Sequence, residues 1–256
     1  MKDPGISELL NALNMDEITK IVAPNGYGKG VSPNPFSEFQ NEWTRRKEFS
    51  AERKLLTEKI DMLFEPRFIT PPETSECIES IITMGDFKQV LEVGMCSGFT
   101  TLHMIRSIVG KPGALVTSID ARPAHDRDFF EKPPISNWFR FVEGWTPAII
   151  DSLRGQMFEF VFVDSDHSRE HTDAEYVKLM EVTKHGTIFC FHDVPAWASP
   201  TNRSPAPVRV WLDEMVAAGN LRGVILPTCE QLDCRGTWGP GYPKECNPHL
   251  GVYQRM

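Results

Sequence analysis

From Thr70 to the C-terminus, short apolar runs and helical patterns take turns along the chain, and no repeat or low-complexity segment breaks the alternation. QVLEV, ALVTSID, FRFVEG, FEFVFVD and GTIFCFHD read as strands, and the nearly continuous apolar runs among them fit parallel strands buried on both faces. ETSECIESIITM, a stretch at about 99–109, TPAIIDSL, a long stretch over roughly 169–183 and VRVWLDEMVAAG read as helices. LRGVILP and LGVYQ close the chain as two more strands. Such alternation builds an α/β fold, a doubly wound sheet with helices on both faces.

Residues 1–66 differ in character. FSEFQNEWTRRKEFSAERKLLTEKIDMLF spaces its charges between apolar positions at about the helical period, as expected of an N-terminal helical cap or lid on a domain spanning residues 67–256. PNGYGKGVSPNPF, at 24–36, is a loop by composition and only superficially like a phosphate loop. With 41% hydrophobic side chains, 256 residues suffice for one α/β domain and modest appendages. The formal net charge is -8 and the 27 Lys and Arg are scattered, which argues against nucleic acid as a partner. No run reaches the roughly 18 apolar residues that span a bilayer, so no membrane association is expected. The start, MKDPGISELL, lacks the basic-then-apolar order of a signal peptide, and the expected location is cytoplasmic. Cys77, Cys96 and Cys190 fall in expected core elements and read as reduced thiols. Cys229, Cys234, Cys246 and His249 could supply four zinc ligands, but their spacing matches no common pattern, and a loop with incidental thiols is the alternative.

Ligands of open parallel sheets bind beyond the carboxyl ends of the strands. The residues expected there are Glu92 with Gly94, Asp120, Glu143 with Gly144, Asp164, and His192 with Asp193. So many acids are costly to bury without partners, and a shared ligand accounts for them together. VLEVGMCSG opens a tight turn where Gly94 and Gly98 let backbone approach a ligand. Its G-x-x-x-G spacing lacks the close glycine pair of the dinucleotide fingerprint, which counts against a nicotinamide cofactor. Asp120 ends the next strand 28 residues after Glu92, where a carboxylate can take both hydroxyls of a ribose. Two carboxylates suit a nucleoside with a cationic neighbour better than a pyrophosphate. S-adenosylmethionine has a ribose, an ammonium and a sulfonium, and no phosphate.

The E-x-G-x-x-x-G turn, the acid after the second strand and the downstream VDSDHS and GTIFCFHDV resemble a class I S-adenosylmethionine-dependent methyltransferase. More narrowly, they are similar to the catechol and caffeoyl-CoA type O-methyltransferases and to related small-molecule and sugar O-methyltransferases of antibiotic pathways. The likeness covers about residues 66–194, with a weaker match to the end. It implies a Rossmann-like sheet of seven strands with the last antiparallel, an enzyme that methylates a hydroxyl of a small-molecule substrate, and an assembly that could be a homo-oligomer. Carried over by position, Glu92 corresponds to the acid holding the methionine amino group, Gly94 to the backbone-approach glycine and Thr100 to a hydroxyl near the methionine carboxylate. Asp120 corresponds to the ribose acid, and Gly144, Trp145 and Thr146 to the adenine segment, with Trp145 in place of the small residue often found there.

Many relatives bind magnesium through an acid ending the fourth strand and a pair ending the fifth. Asp164 and Asp193 match two of those positions, while His192 stands where catechol-type enzymes carry an acid. The implied cofactors are S-adenosylmethionine and a divalent cation, Mg or Mn, the imidazole shifting preference away from magnesium. Alternatively, Asp164 only positions the cofactor or substrate and His192 hydrogen-bonds a loop. His167, at the place of the family's lysine, is the candidate base with Asp164 beside it, because methyl transfer requires alignment of donor and acceptor and removal of one hydroxyl proton. An imidazole with a pKa of about 6.5 is mostly neutral at pH 7 and can accept that proton. Asp166 orients His167, joins the metal shell or caps the following helix. His103, His125, His171 and His185 read as structural. Phe36, Trp43, Trp197 and Trp238 lie in segments expected to fold over the crevice mouth and set substrate choice. Three alternatives remain open: an N-methyltransferase or metal-free enzyme of the same fold, a non-catalytic cofactor-binding protein, and a nicotinamide dehydrogenase.

Overall fold

Val90, Leu91 and Val93 are all but fully buried, as are Phe160, Val161 and Phe162, so the two strands that carry them have no wet face. In the computed structural model these are the two central strands of the sheet. The structure describes residues 50–63, 70–122, 127–194, 206–227 and 249–256, all within one compact unit, Arg45–Met256. The strands are β1 (Gln89–Val93), β2 (Leu115–Asp120), β3 (Phe139–Glu143), β4 (Phe158–Val163), β5 (Thr183–Phe191), β6 (Leu221–Pro227) and β7 (His249–Arg255). They form one sheet in the order β3-β2-β1-β4-β5-β7-β6. The first five are parallel, and β7 runs antiparallel between β5 and β6. This is the seven-stranded, doubly wound arrangement expected from the sequence.

The helices are α1 (Ser50–Leu63), α2 (Pro72–Met84), α3 (Phe99–Ile108), α4 (Arg127–Glu131), α5 (Arg169–Leu179) and α6 (Pro207–Ala217). On one side of the sheet, Leu91, Val93, Val161, Val163, Phe189 and Phe191 project at the two-residue period of a strand onto Tyr176 and Leu179 of α5 and Trp211 and Leu212 of α6. Trp211 lies 5.2 Å from the Tyr176 ring and 5.5 Å from Phe191, and its indole N–H is satisfied by Asp173 Oδ1 at 2.9 Å. The other face is covered by α2 and α3. There Glu79 accepts from Arg106 and contacts His103 Nδ1 at 2.9 Å, and Arg106 also reaches Thr57 of α1. Thus α1, which falls in the segment expected as a cap, is tied to α3 by Arg106 and by Arg53, which donates to Val109 O.

Three local departures from the sequence reading have physical causes. TPAIIDSL folds as a 3₁₀ turn over Ala148–Leu153 rather than an α-helix; it is six residues long and closes with the Ile150 N–H on Pro147 O. The helix expected over 169–183 stops at Leu179, because Thr183 already starts β5. The last helical carbonyls are taken by the N–H groups of Met180, Glu181 and Val182, and Arg255 at the far end of the chain holds the turn into β5 through Nη1 on Met180 O and Thr183 O. Between Asp120 and Phe139, where no element is expected, α4 forms and buries Phe130 against Phe139 with 4.9 Å between ring centroids. Cys190 is buried and Cys77 half-buried, but Cys96 is exposed and so is not the core thiol expected. The loop at 24–36, most of the expected cap, Trp197, Trp238 and the cysteines of the zinc reading lie outside the described residues.

Gly94, just after β1, has φ +92°, and a Cβ there would sit 2.1 Å from the carbonyl oxygen of Asp164 at the end of β4. Gly155 has nearly the same φ, +90°, with nothing within 4 Å of its Cβ position. The pair separates backbone conformation from crowding. Gly155→Ala should cost about 1–2 kcal/mol, and Gly94→Ala at least about 3 kcal/mol because two strand ends must also part. Urea midpoints that shift equally for both would show that the close approach at Gly94 adds nothing.

Candidate active site

Backbone hydrogen bonds line up the tips of the five parallel strands. Gly94 N–H donates to Ile119 O, Gly144 N–H to Asp120 O, Asp164 N–H to Val93 O and His192 N–H to Val163 O. Gly94, Asp120, Gly144, Asp164 and His192 therefore stand along one edge. The chain leaves β1 towards β2 on one side and leaves β4 towards β5 on the other, so the connections diverge between β1 and β4 and open the crevice at that point.

At the β1 corner, Glu92 is 1% exposed and faces α3. One of its oxygens accepts from Thr101 Oγ1 at 2.6 Å and from Ser118 Oγ at 2.5 Å. Burial dominates its titration. It outweighs these hydroxyls and, with Asp164 and Asp120 nearby, pushes the carboxyl up to about 8. Glu92 is thus a predominantly neutral, interior acid at pH 7. Thr100 is also buried, its hydroxyl 3.1 Å from Ser75 Oγ of α2. Asp120 accepts the N–H groups of Met95 and Cys96 on Oδ2, both at 2.9 Å, and of Arg122 on Oδ1 at 3.0 Å. The acid at the tip of β2 therefore holds the glycine turn in shape. Three of its roughly four lone-pair sites are used, leaving Oδ1 room for one more donor.

At the β3 corner, Trp145 is 73% exposed beside Gly144, where a Cβ would collide with Ile149. Thr146 Oγ1 lies 3.2 Å from His171 Nε2 of α5. Neither His171 nor its neighbours in space, Glu175 and Ser165, were singled out as site residues from the sequence.

Asp164, His167, His192 and Asp193 come together at the tips of β4 and β5. Asp164 Oδ1 is 3.0 Å from His192 Nδ1 and 3.7 Å from His167 Nε2, and Asp193 carboxylate oxygens are 3.4 Å from His192 Nδ1 and 3.6 Å from His167 Nε2. Thr70 donates to the other Asp164 oxygen at 3.3 Å. Burial alone would push Asp164 up, but His192 above all, then His167 and Thr70, hold it below the usual carboxylate range. Burial likewise opposes charge on His192, yet Asp164 and Asp193 win and raise it to about 9. These contacts are ion pairs more than hydrogen bonds, because neither ring nitrogen of the buried His192 has a well-aligned hydrogen-bond partner among the described residues. Asp193 adopts φ 50°, a left-handed conformation that a non-glycine residue keeps only where its surroundings hold it. Asp166 accepts the Ser168 N–H at 2.7 Å, and Ser168 in turn caps α5 through the His171 N–H, so the helix-start reading of Asp166 is the one observed. Among the described residues no group of three or more His, Cys, Asp or Glu side chains is arranged to hold a metal ion. None of the described helices is long and apolar enough to cross a membrane.

Residues 91–194 match the family model of a methyltransferase domain. No curated protein matches the chain at a significant level. Among solved structures, the fold resembles an O-methyltransferase from Bacillus cereus in complex with SAH, at 15% identity and TM-score 0.58, covering 80% of this chain and 91% of that one. It also resembles the O-methyltransferase TomG from Streptomyces achromogenes, involved in tomaymycin synthesis and solved with SAM, at 13% identity and TM-score 0.56, covering 80% and 88%. A third likeness is to a putative caffeoyl-CoA O-methyltransferase from Staphylococcus aureus, at 13% identity and TM-score 0.54, covering 85% and 100%. The fold is that of these enzymes.

The buried Glu92 generates a pH signature. A carboxyl raised to about 8 in the folded chain and near 4.5 when unfolded binds its proton more tightly in the native state. Its stabilising contribution is complete below about 4.5 and drains away as pH rises to about 8. Thermal unfolding from pH 5 to 9 should show the wild type losing stability across that window by more than Glu92→Gln does. Identical pH slopes for the two proteins would mean that Glu92 is not held neutral.

Proposed function

We propose, on the premise that this chain carries a class I methyltransferase domain, that it transfers a methyl group from S-adenosylmethionine to a hydroxyl of a small molecule. The observation that carries this reading is the meeting of Asp164, His167, His192 and Asp193 beside the glycine turn after β1, which puts a proton acceptor next to the acidic corner of the crevice. Solved O-methyltransferases of the same fold, one with SAH and one with SAM, support the donor.

S-adenosylmethionine supplies, when bound, a methyl group on a sulfonium that is open to in-line displacement. The residues fit it: the crevice beside the glycine turn is lined by Asp120, Asp164 and Asp193, and among the described residues no cationic cradle for a pyrophosphate is built there. Asp120 Oδ1 takes a ribose hydroxyl while Oδ2 keeps the turn closed. Trp145 offers an exposed aromatic face to the adenine, flanked by Gly144 and Thr146. Glu92, being buried, serves the methionine end by orienting Thr101 and the start of α3, next to Thr100. At the acceptor end, the His167 ring takes the hydroxyl proton, and the carboxylates of Asp164 and Asp193, which face its Nε2, stabilise the imidazolium that results.

In donor chemistry, though not in their present arrangement, Asp164, His192 and Asp193 suit a divalent cation: two carboxylates and a buried imidazole whose Nδ1 lies 3.0–3.4 Å from their oxygens. We extend the proposal to Mg or Mn held by Asp164, His192 and Asp193, which when bound lowers the pKa of the acceptor hydroxyl. Asp164 and Asp193 raise the His192 imidazole to about 9, so a cation and that proton compete for the same ring.

Calorimetry with S-adenosylhomocysteine and NAD should give binding of the first alone. Asp120→Ala should weaken it about tenfold, the loss of one charged hydrogen-bond partner. His167→Ala should keep the affinity within about threefold yet slow methyl transfer to a phenol or sugar acceptor by about 10²–10⁴. Equal loss of affinity in both variants would contradict this division of roles. A chelator should abolish turnover and Mn restore it, whereas chelator-resistant turnover would establish the metal-free form. Product mass and acid stability distinguish O- from N-methylation.

A further inference from the structure

Glu175 of α5 is 1% exposed, and a carboxylate so placed requires partners. One oxygen accepts from Ser165 Oγ at 2.8 Å. The other lies 3.3 Å from His171 Nε2, a close polar contact without hydrogen-bond alignment, and that nitrogen is hydrogen-bonded to Thr146 Oγ1 at 3.2 Å. Ser165 follows Asp164 directly, in the loop that carries His167, whereas Thr146 follows Trp145 at the tip of β3. The two loops are joined through α5 by a chain of four polar side chains, Ser165, Glu175, His171 and Thr146.

We propose that Glu175 and His171 are positioning residues of the methyl-transfer site, fixing the loop that holds Asp164 and His167 relative to the base-binding corner at Thr146. The inference rests on the S-adenosylmethionine reading above and adds to it two residues that touch neither cofactor nor acceptor. Displacement chemistry is sensitive to the separation of the two ends of the donor, since a misplacement of about 1 Å can cost about 10²-fold in rate. A buried carboxylate is suited to this work. It only accepts, so it takes the hydroxyl hydrogen of Ser165 and, by its charge, favours the tautomer with its hydrogen on His171 Nε2, the nitrogen bonded to Thr146. That leaves Thr146 Oγ1 next to a donor, and its own hydrogen is free to turn to an acceptor nitrogen of a purine. Further geometry points the same way: the Ser168 hydroxyl accepts the His171 N–H, and Thr172 Oγ1 donates to Ser168 O, so the helix start carrying His171 is itself fixed.

A double-mutant cycle in the full chain, read by calorimetry with S-adenosylhomocysteine, tests this. Ser165→Ala and Thr146→Val should each weaken binding, by about 3- to 10-fold for a lost neutral hydrogen bond. The double variant should lose at least threefold less than the product of the two, because breaking either end releases the other. That coupling should vanish in a His171→Leu background. In the wild-type background, Ser165→Thr and Thr146→Ser, which keep the hydroxyls, should recover the affinity lost in Ser165→Ala and Thr146→Val. Nitrogen-15 histidine spectra give a second readout: the His171 Nε2–H signal should be present in the wild type, shift on addition of S-adenosylhomocysteine, and stop responding in Ser165→Ala. Multiplicative losses, or an unresponsive His171 signal in a wild type that binds, would overturn the positioning role while leaving the cofactor reading intact. A wild type that does not bind S-adenosylhomocysteine would overturn both.

Discussion

Two parallel strands lie side by side at the centre of this sheet while the chain departs from them in opposite directions, and every feature of the site depends on how closely their ends can meet. The contact is between Gly94 and the carbonyl of Asp164, where no side chain fits. The bonds from Gly94 N–H to Ile119 O and from Asp164 N–H to Val93 O then bring the tips of β2, β1 and β4 into line. Below them, Phe189, Phe191, Tyr176 and Trp211 form an aromatic layer against which β5 and α5 are fixed, so the loops above stand on a rigid base.

The acids of the crevice do not share one electrostatic state. Glu92 is buried with hydroxyls as its hydrogen-bond partners and two acids nearby and is driven towards its neutral form, whereas Asp164, half-buried, is held below the usual carboxylate range by His192 beside it. Environments that push like groups apart in this way are how a single fold assigns distinct duties to similar side chains. The accessible part of the crevice keeps Asp120, Asp164 and Asp193, so the proposed cationic nucleoside would meet acids on both of its flanks.

The sheet was legible because strands buried on both faces are written as apolar runs, and QVLEV, ALVTSID and FEFVFVD coincide with β1, β2 and β4 to within a residue. The strand tips followed from the sheet, and Asp164, His167, His192 and Asp193 are indeed neighbours. What stayed hidden is set by contacts between distant residues. The segment after α5 is held by Arg255, α4 by the packing of Phe130 on Phe139, and the state of Glu92 by its burial between α3 and β2. A signal for the last existed: Ser118 is a polar residue inside a buried strand, which implies a polar partner within. His171 read as structural because nothing in the local sequence reveals that its ring reaches the loop after β3.

The central claim, that this acidic crevice receives a cationic nucleoside across the tips of β1, β2 and β3, is tested most directly by a crystal structure of the chain with S-adenosylhomocysteine. The account predicts a ribose hydroxyl within hydrogen-bond distance of Asp120 Oδ1 and the base against Trp145. A nucleoside lodged elsewhere, or an Asp120 bonded to the glycine turn alone, would contradict it.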